Sequence, residues 1–358
     1  MASSQLFSLL QIKSIILKNR IVISPMCQYS AKDGFANDWH IVHLGARAIG
    51  GASLIIQEAT AVSPEGRITP GDLGIWSDEH IEKYKQIAEF ILQENAFPGI
   101  QLAHAGRKAS RSAPWQGNRK LSEGEEGWRT VAPSSIRFFE EEAEAPIALD
   151  KEGIQKVIAD FKAAARRSRE ACYKVLEIHA AHGYLLHQFL SPLCNERTDE
   201  YGGSFENRIR LLLEVLEAVK EEWPNNLPLF VRISGTDWAE GGWNVDESVK
   251  LSKILKEKGV DIIDCSSGGA VAHQQIPTEP NYQVPIAERV KKEAGVCTGA
   301  VGLITEAQQA ENILQNGQAD LVFFARESLR DPNLALNFAH ELKADVTWPK
   351  QYERARLD

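Results

Sequence analysis

Val175-Leu176-Glu177-Ile178-His179-Ala180-Ala181-His182-Gly183-Tyr184 is the stretch that decides the fold. The short apolar run from Val175 to Ile178 reads as a buried strand. It stops at His179, and His182, Gly183 and Tyr184 follow at once. Two imidazoles and a phenol just past a strand end gather donors and titratable groups in one place. A cluster of this kind needs a platform facing it, so the other strand ends of the chain matter most.

The same unit, a short apolar strand and then an amphipathic helix, recurs along the chain. Strands are expected at Ile21–Ser24, Ser53–Gln57, Gly99–Ala103, Val175–His179, Leu229–Ile233, Val260–Cys265, Val296–Ala300 and Asp320–Phe324. Helical stretches lie around 39–50, 78–94, 151–172, 206–222, 246–258, 283–294, 305–315 and 332–343. Start signals include Ser77 before Asp78-Glu79, Asp150 before Lys151-Glu152, and capping-box spacing in Thr305-Glu306-Ala307-Gln308. Gly259 and Gly317 stand just past helical runs, as stop signals do. Eight such units predict one α/β domain over residues 1–358, a (β/α)8 TIM barrel of parallel strands. The strands are continuous apolar runs, as strands buried on both faces are. A doubly wound sheet is the alternative, weakened because no G-x-G-x-x-G follows a strand. Residues 105–149, rich in Gly, Pro, Trp and Glu, form an insertion after strand three, expected to carry small elements and to overhang the strand ends as a lid. Its acidic run, Glu140 to Glu144, reads as a solvated surface segment.

Composition narrows the function. The chain has 358 residues, 43% of them hydrophobic and 25% charged, as ordinary soluble proteins do. A net charge of −9 without a basic run argues against nucleic acid or an anionic membrane as partner. Cys27, Cys172, Cys194, Cys265 and Cys297 are scattered, with no C-x-x-C spacing, which suits a reducing compartment. Lys13, Lys18 and Arg20 break the apolar N-terminal stretch, so neither a signal peptide nor a membrane span is expected there, and the cytoplasm is the expected location.

In a barrel of this type the chemistry sits at the C-terminal strand ends, and here those ends are polar. Gly302, in Gly299-Ala300-Val301-Gly302 after strand seven, and Arg326 after strand eight stand where barrels bind phosphate. His179 and His182 have the spacing of a metal pair, but no further ligands stand beside them. A satisfied core histidine is a plausible reading for one of them, and less so for two at a strand end. The preferred reading is a pair of donors holding a carbonyl oxygen or oxyanion, with Tyr184 giving a proton to a reacting carbon. Gln101 and Arg232 lie within apolar strands. Arg232 needs an anion there, either in a salt bridge across the interior or in a polar heteroaromatic ring that carries charge when reduced. Gln101 would then hydrogen-bond the same ring. Cys27 is open between inert core, nucleophile and a group that tunes a redox ring. Arg354, near the C-terminus, reads by default as part of a charged tail.

Several motifs then resemble those of Old Yellow Enzyme-type flavin ene-reductases, most closely the thermophilic-like branch. They are Ser24-Pro25-Met26-Cys27-Gln28-Tyr29, Gly66-Arg67-Ile68-Thr69, Gly74-Ile75-Trp76-Ser77-Asp78 and Gln101-Leu102-Ala103-His104-Ala105-Gly106-Arg107-Lys108. The set continues with His179 to Tyr184, Arg197 to Ser204, and Asn207-Arg208, in the family's order, and the likeness runs from about residue 5 to the C-terminus. The resemblance implies non-covalent FMN at the strand C-terminal face of a TIM barrel. Ser24, Pro25, Met26 and Cys27 would border it, with Cys27 tuning its potential. Ala59 and Gln101 would contact the ring system, Arg232 would sit at one of its edges, and Gly302, Ala325 and Arg326 would hold the phosphate. His179 and His182 would bind the substrate oxygen, Tyr184 would donate the proton, and Tyr29 would line the substrate site. Arg354 resembles a tail arginine that reaches a neighbouring subunit's site, which implies a homodimer or homotetramer. The family pattern often has Gly where Ala325 stands, some members carry Trp at the position of Val301, and the tail runs on as Ala355-Arg356-Leu357-Asp358. The implied activity is NADPH-driven reduction of small-molecule activated alkenes, with NADH as an alternative donor. A metal-dependent hydrolase using the two histidines and a non-catalytic flavin-binding module are the other readings.

Overall fold

The computed structural model describes residues 4–356; Leu357 and Asp358 of the tail lie outside them. Eight parallel strands close into a barrel. They are β1 (Ile21–Ile23), β2 (Leu54–Ala61), β3 (Phe97–Ala103), β4 (Val175–Ala180), β5 (Leu229–Ser234), β6 (Ile262–Ser266), β7 (Cys297–Ala300) and β8 (Leu321–Phe324). Each pairs with its neighbours in sequence, and β8 pairs with β1. Closure rules out the doubly wound alternative. The main outer helices are α1 (Asp38–Ile49), α2 (Ile81–Gln93), α3 (Lys151–Glu170), α4 (Arg210–Glu222), α5 (Val245–Glu257), α6 (Val284–Ala294), α7 (Ala307–Gln315) and α8 (Leu334–Glu341). Among the described residues no helix is long and apolar enough to cross a membrane.

Strand period two sorts the interior. Toward the strand N-termini the inward side chains are apolar: Val22, Leu54, Ile56, Val175, Phe230, Ile262, Leu321 and Phe323 form one cluster. Ile12, Ile15 and Leu17, from the antiparallel hairpin Leu10–Ile12/Ile15–Leu17, join that cluster and plug the N-terminal mouth. Val301 is buried in the same cluster. Further along β3, β4, β5 and β6 the interior turns polar, with Gln101, Glu177, Arg232 and Asp264 all buried. Polar groups so placed need ligands or one another.

Local signals held unevenly. Asp150 caps α3 by accepting from Gly153 N–H at 2.8 Å. Gly259 and Gly317 both adopt the left-handed conformation past a helix end. The capping box expected at Thr305 does not form: α7 starts at Ala307, and Gln309 Oε1 takes the Thr305 N–H at 2.9 Å. β2 runs past the expected Gln57, because a register shift between Gln57 and Ala59 lets pairing resume up to Ala61.

The insertion carries three short 3-10 turns and a two-residue parallel strand pair, Val131–Ala132 with Ile147–Ala148. Its acidic run is not wholly solvated. Glu142 is buried and pairs with Arg111 at 2.7 Å, and its other oxygen accepts from Phe138 N–H at 3.3 Å. One carboxylate of the run thus ties the insertion together from inside.

Candidate active site

Val175, Glu177 and His179 share the inward face of β4 by strand alternation. The chain then turns sharply. His182 and Gly183 both adopt left-handed backbone, at φ 59° and 70°. A Cβ on Gly183 would lie 1.9 Å from the Gly269 carbonyl oxygen, so only glycine fits. Three contacts hold the turn: His182 N–H donates to Ser234 Oγ (2.8 Å), Gly183 N–H to His187 Nδ1 (2.8 Å), and Lys108 Nζ to the His182 carbonyl (2.8 Å). Tyr184 starts the short helix Leu185–Leu190.

This turn folds the His182 ring back onto His179, with His182 Nδ1 3.3 Å from His179 Nε2. Tyr184 stands edge-on to His179, ring centroids 5.1 Å apart. Burial, with Arg232 next, holds both imidazoles well below their ordinary pKa, so both are neutral. The partners then set the tautomers. Ala181 N–H donates to His179 Nδ1 (3.2 Å), so the His179 proton sits on Nε2, facing His182 Nδ1. His182 therefore carries its proton on Nε2, 2.7 Å from Ser266 Oγ. Among the described residues no group of three or more metal-ligating side chains converges. Desolvation, reinforced by Cys27 and Asp72, raises the Tyr184 phenol far above its ordinary value.

The β1 end lies close by. Cys27 and Tyr29 pack with Ile68, Ala105, Ala109, Tyr184 and Trp128 of the insertion. The Cys27 thiol is pushed well up by burial and by the nearby carboxyls Asp72 and Glu58, which keeps it protonated and a poor nucleophile. Pro25 and Met26 are half-buried, and Ser24 Oγ is buried with no hydrogen-bond partner. Ala59 is buried at the β2 irregularity. Gln101 Nε2 donates to Glu177 Oε1 at 2.7 Å. Arg232 Nε lies 3.0 Å from Asp264 Oδ2, without the alignment of a hydrogen bond. Arg232 is thus paired with Asp264, and the pairing leaves its guanidinium incompletely satisfied. At β7 and β8, Gly302 has φ 118°, and a Cβ there would lie 2.6 Å from Gln283 Nε2. Ala325 has φ −104° and ψ −101°, so it does not sit in the left-handed conformation that would favour Gly there. Arg326, which follows it, is exposed. Arg354 is not brought to this site; it lies in the exposed turn Lys350–Ala355.

Glu177, Asp264, Ser234, Ser266, Lys108 and His187 are the residues that sequence reasoning passed over. Glu177 and Asp264 carry the signal that singled out Gln101 and Arg232, a polar residue inside an apolar strand. Ser234 and Ser266 carry almost none.

The sequence profile of the NADH:flavin oxidoreductase / NADH oxidase family matches residues 5–345. An NADPH dehydrogenase of Bacillus subtilis is 49% identical over 352 residues, 98% of each chain. An NADPH dehydrogenase of Halalkalibacterium halodurans is 49% identical over 355 residues, 99% of each chain. Among solved structures, morphinone reductase in complex with tetrahydroNAD superposes with a TM-score of 0.77 at 28% identity, covering 96% of this chain and 92% of that one. With the barrel and its polar strand ends, these matches bear out the resemblance: the chain belongs to the NADH:flavin oxidoreductase / NADH oxidase family and is an oxidoreductase of Old Yellow Enzyme type.

Proposed function

We propose that this protein is an FMN-dependent NADPH dehydrogenase that reduces the activated C=C bond of α,β-unsaturated carbonyl compounds (enones, enals, maleimides) or nitro compounds, in two alternating half-reactions. The observation that carries the proposal is the pair of neutral imidazoles 3.3 Å apart, with the Tyr184 phenol edge-on beside them. Relatives named NADPH dehydrogenase at 49% identity support NADPH as donor, with NADH the alternative.

The residues fit a flavin mononucleotide. Ser24 Oγ is a buried hydroxyl still lacking a partner, and Arg232 is only partly satisfied by Asp264. Gly302 carries no side chain where backbone must come close, and Arg326 offers an exposed guanidinium after β8. Ser24, Pro25, Met26, Cys27, Ala59, Gln101 and Arg232 would hold the ring system, and Gly302, Ala325 and Arg326 the phosphate. When bound, FMN would supply the hydride-carrying chemistry between the nicotinamide and the alkene.

The chain's own residues supply the rest. His179 Nε2–H would donate to the substrate oxygen in place of its contact with His182 Nδ1, and His182 would donate from Nδ1 once its proton moves there from Nε2, where the Ser266 hydroxyl can donate in turn. Neutral donors aimed at that oxygen stabilise the charge it gains in the enolate-like transition state. Tyr184, held as the phenol, would deliver its proton to the α-carbon. Tyr29 would line the substrate site, and Arg354 would reach the site of a neighbouring copy. The test is rapid mixing followed at the flavin absorbance. His179→Ala with His182→Ala should slow reoxidation by an enone roughly 10²–10³-fold and leave reduction by NADPH nearly unchanged. Equal losses in the two half-reactions would remove the oxygen-clamp role.

A further inference from the structure

Glu177 sits on the inward face of β4 between Val175 and His179 and is fully buried. Its register partner on β3 is Gln101, whose Nε2 donates to Glu177 Oε1 at 2.7 Å. Glu177 Oε2 is buried with no partner. The charged groups acting on it are Arg232 on β5 and Asp264 on β6. Arg232 is already in contact with Asp264 at 3.0 Å. On β4 itself the next inward residue, His179, is held neutral. Toward the N-terminal mouth the interior is apolar, with Val175, Ile56 and Phe230. Two carboxyls therefore share one guanidinium in a buried part of the interior.

A buried carboxylate without a cation is costly, and such a group gives up its charge. Burial first, and then Asp264, push Glu177 up to about 8, while Arg232 and the Gln101 bond oppose them. Burial raises Asp264 less far, with Arg232 opposing. At neutral pH Asp264 balances Arg232 and Glu177 carries a proton. An amide has a donor end and an acceptor end; a carboxylate only accepts, whereas a protonated carboxyl keeps an acceptor oxygen and gains a donor. Ionised, Glu177 can engage only the Gln101 NH2 and leaves the Gln101 carbonyl for a ligand; protonated, it can also donate.

We propose that Glu177 is a positioning and proton-holding residue of the flavin site: it orients the Gln101 amide, and in its ionised form it takes up a proton from solvent when the bound flavin gains negative charge. The proposal rests on the flavin reading above. The balance is simple. Hydride from the nicotinamide brings two electrons and one proton. A second proton comes from solvent and binds the Glu177 carboxylate, so the added negative charge in the interior is compensated. The uptake occurs only where Glu177 is ionised before reduction, which is above about pH 8.

The test is a redox titration of the FMN-loaded protein and its Glu177→Gln variant on both sides of about pH 8, with redox-difference infrared spectra of both. Above that pH the wild-type midpoint potential should fall more steeply than the variant's, by one extra proton per two electrons, about 30 mV per pH unit. Reduction should also raise a protonated-carboxyl band in wild type that the variant lacks. Parallel slopes, or no carboxyl band in wild type, overturn the proposal. If the variant does not fold, the wild-type spectrum above that pH decides alone. A protein that binds no FMN sinks this proposal and the flavin reading together. A yellow protein with parallel slopes sinks only this one.

Discussion

Tyr184 and the two histidines are pushed by burial in opposite directions, the phenol up and the imidazoles down, so all three stay uncharged through the neutral range. The alkene half-reaction should accordingly be flat across the neutral range. A steep limb near the ordinary pKa of histidine, in pre-steady-state rates, would show that an imidazole titrates after all. Tyr184→Phe should slow alkene reduction roughly 10²–10⁴-fold while flavin reduction by NADPH stays within a few-fold. Comparable slowing of both steps would place the proton donor elsewhere. At this scale the sequence was a partial guide. His179, His182 and Tyr184 stood out as ring-bearing residues past a strand end. Glu177, two residues earlier, carried the same signal as Gln101 and Arg232, a polar residue in an apolar strand, but the sequence does not say which polar side chains the closed barrel leaves without a partner.

Each element owes its shape to a few contacts. The turn from His182 to Tyr184 needs two left-handed residues in succession, and Gly183 is pinned against the Gly269 carbonyl. Gly183→Ala should therefore cost at least about 1–3 kcal/mol in denaturant unfolding and impair the alkene half-reaction too; a variant of wild-type stability would mean the turn has room to shift. The caps offer a paired check. Asp150→Ala removes a real cap on α3 and should cost about 1 kcal/mol, whereas Thr305→Ala should fall within about ±0.5 kcal/mol, because Thr305 caps nothing. The difference is physical: Asp150 sits where its own helix begins, while the side chain of Gln309 takes the Thr305 N–H and α7 starts later. Capping-box spacing states what is possible locally, and the competing side chain decides.

For the whole molecule, the buried carboxyl is a liability as well as a device. Glu177 has a folded pKa of about 8 against an ordinary 4.5, so between those values the folded chain binds more protons than the unfolded one. Stability should then fall as pH rises through that window, by at most about 1.4 kcal/mol per pH unit, and Glu177→Gln should flatten the slope in unfolding curves. A slope unchanged in the variant would mean that other groups dominate. Arg354 lies outside its own site, so its proposed role requires a second copy. Light scattering should give a mass of two or four chains, and Arg354→Ala should raise KM for the alkene more than it lowers kcat. A fully active monomer would retire that assignment.

By itself the sequence determined the barrel, the place of the reactive cluster at a strand end, and the family. Strand period, strand count and contiguous motifs are properties of neighbouring residues, and they are legible without coordinates. Only the tertiary structure decided how the cluster is wired: the proton on His179 Nε2, the pairing of Arg232 with Asp264, the carboxyl of Glu177 left without a cation, and Glu142 drawn inside the insertion. Those facts depend on strands far apart in the chain closing into one ring. Whether a buried charge is paired depends on what the fold places opposite it.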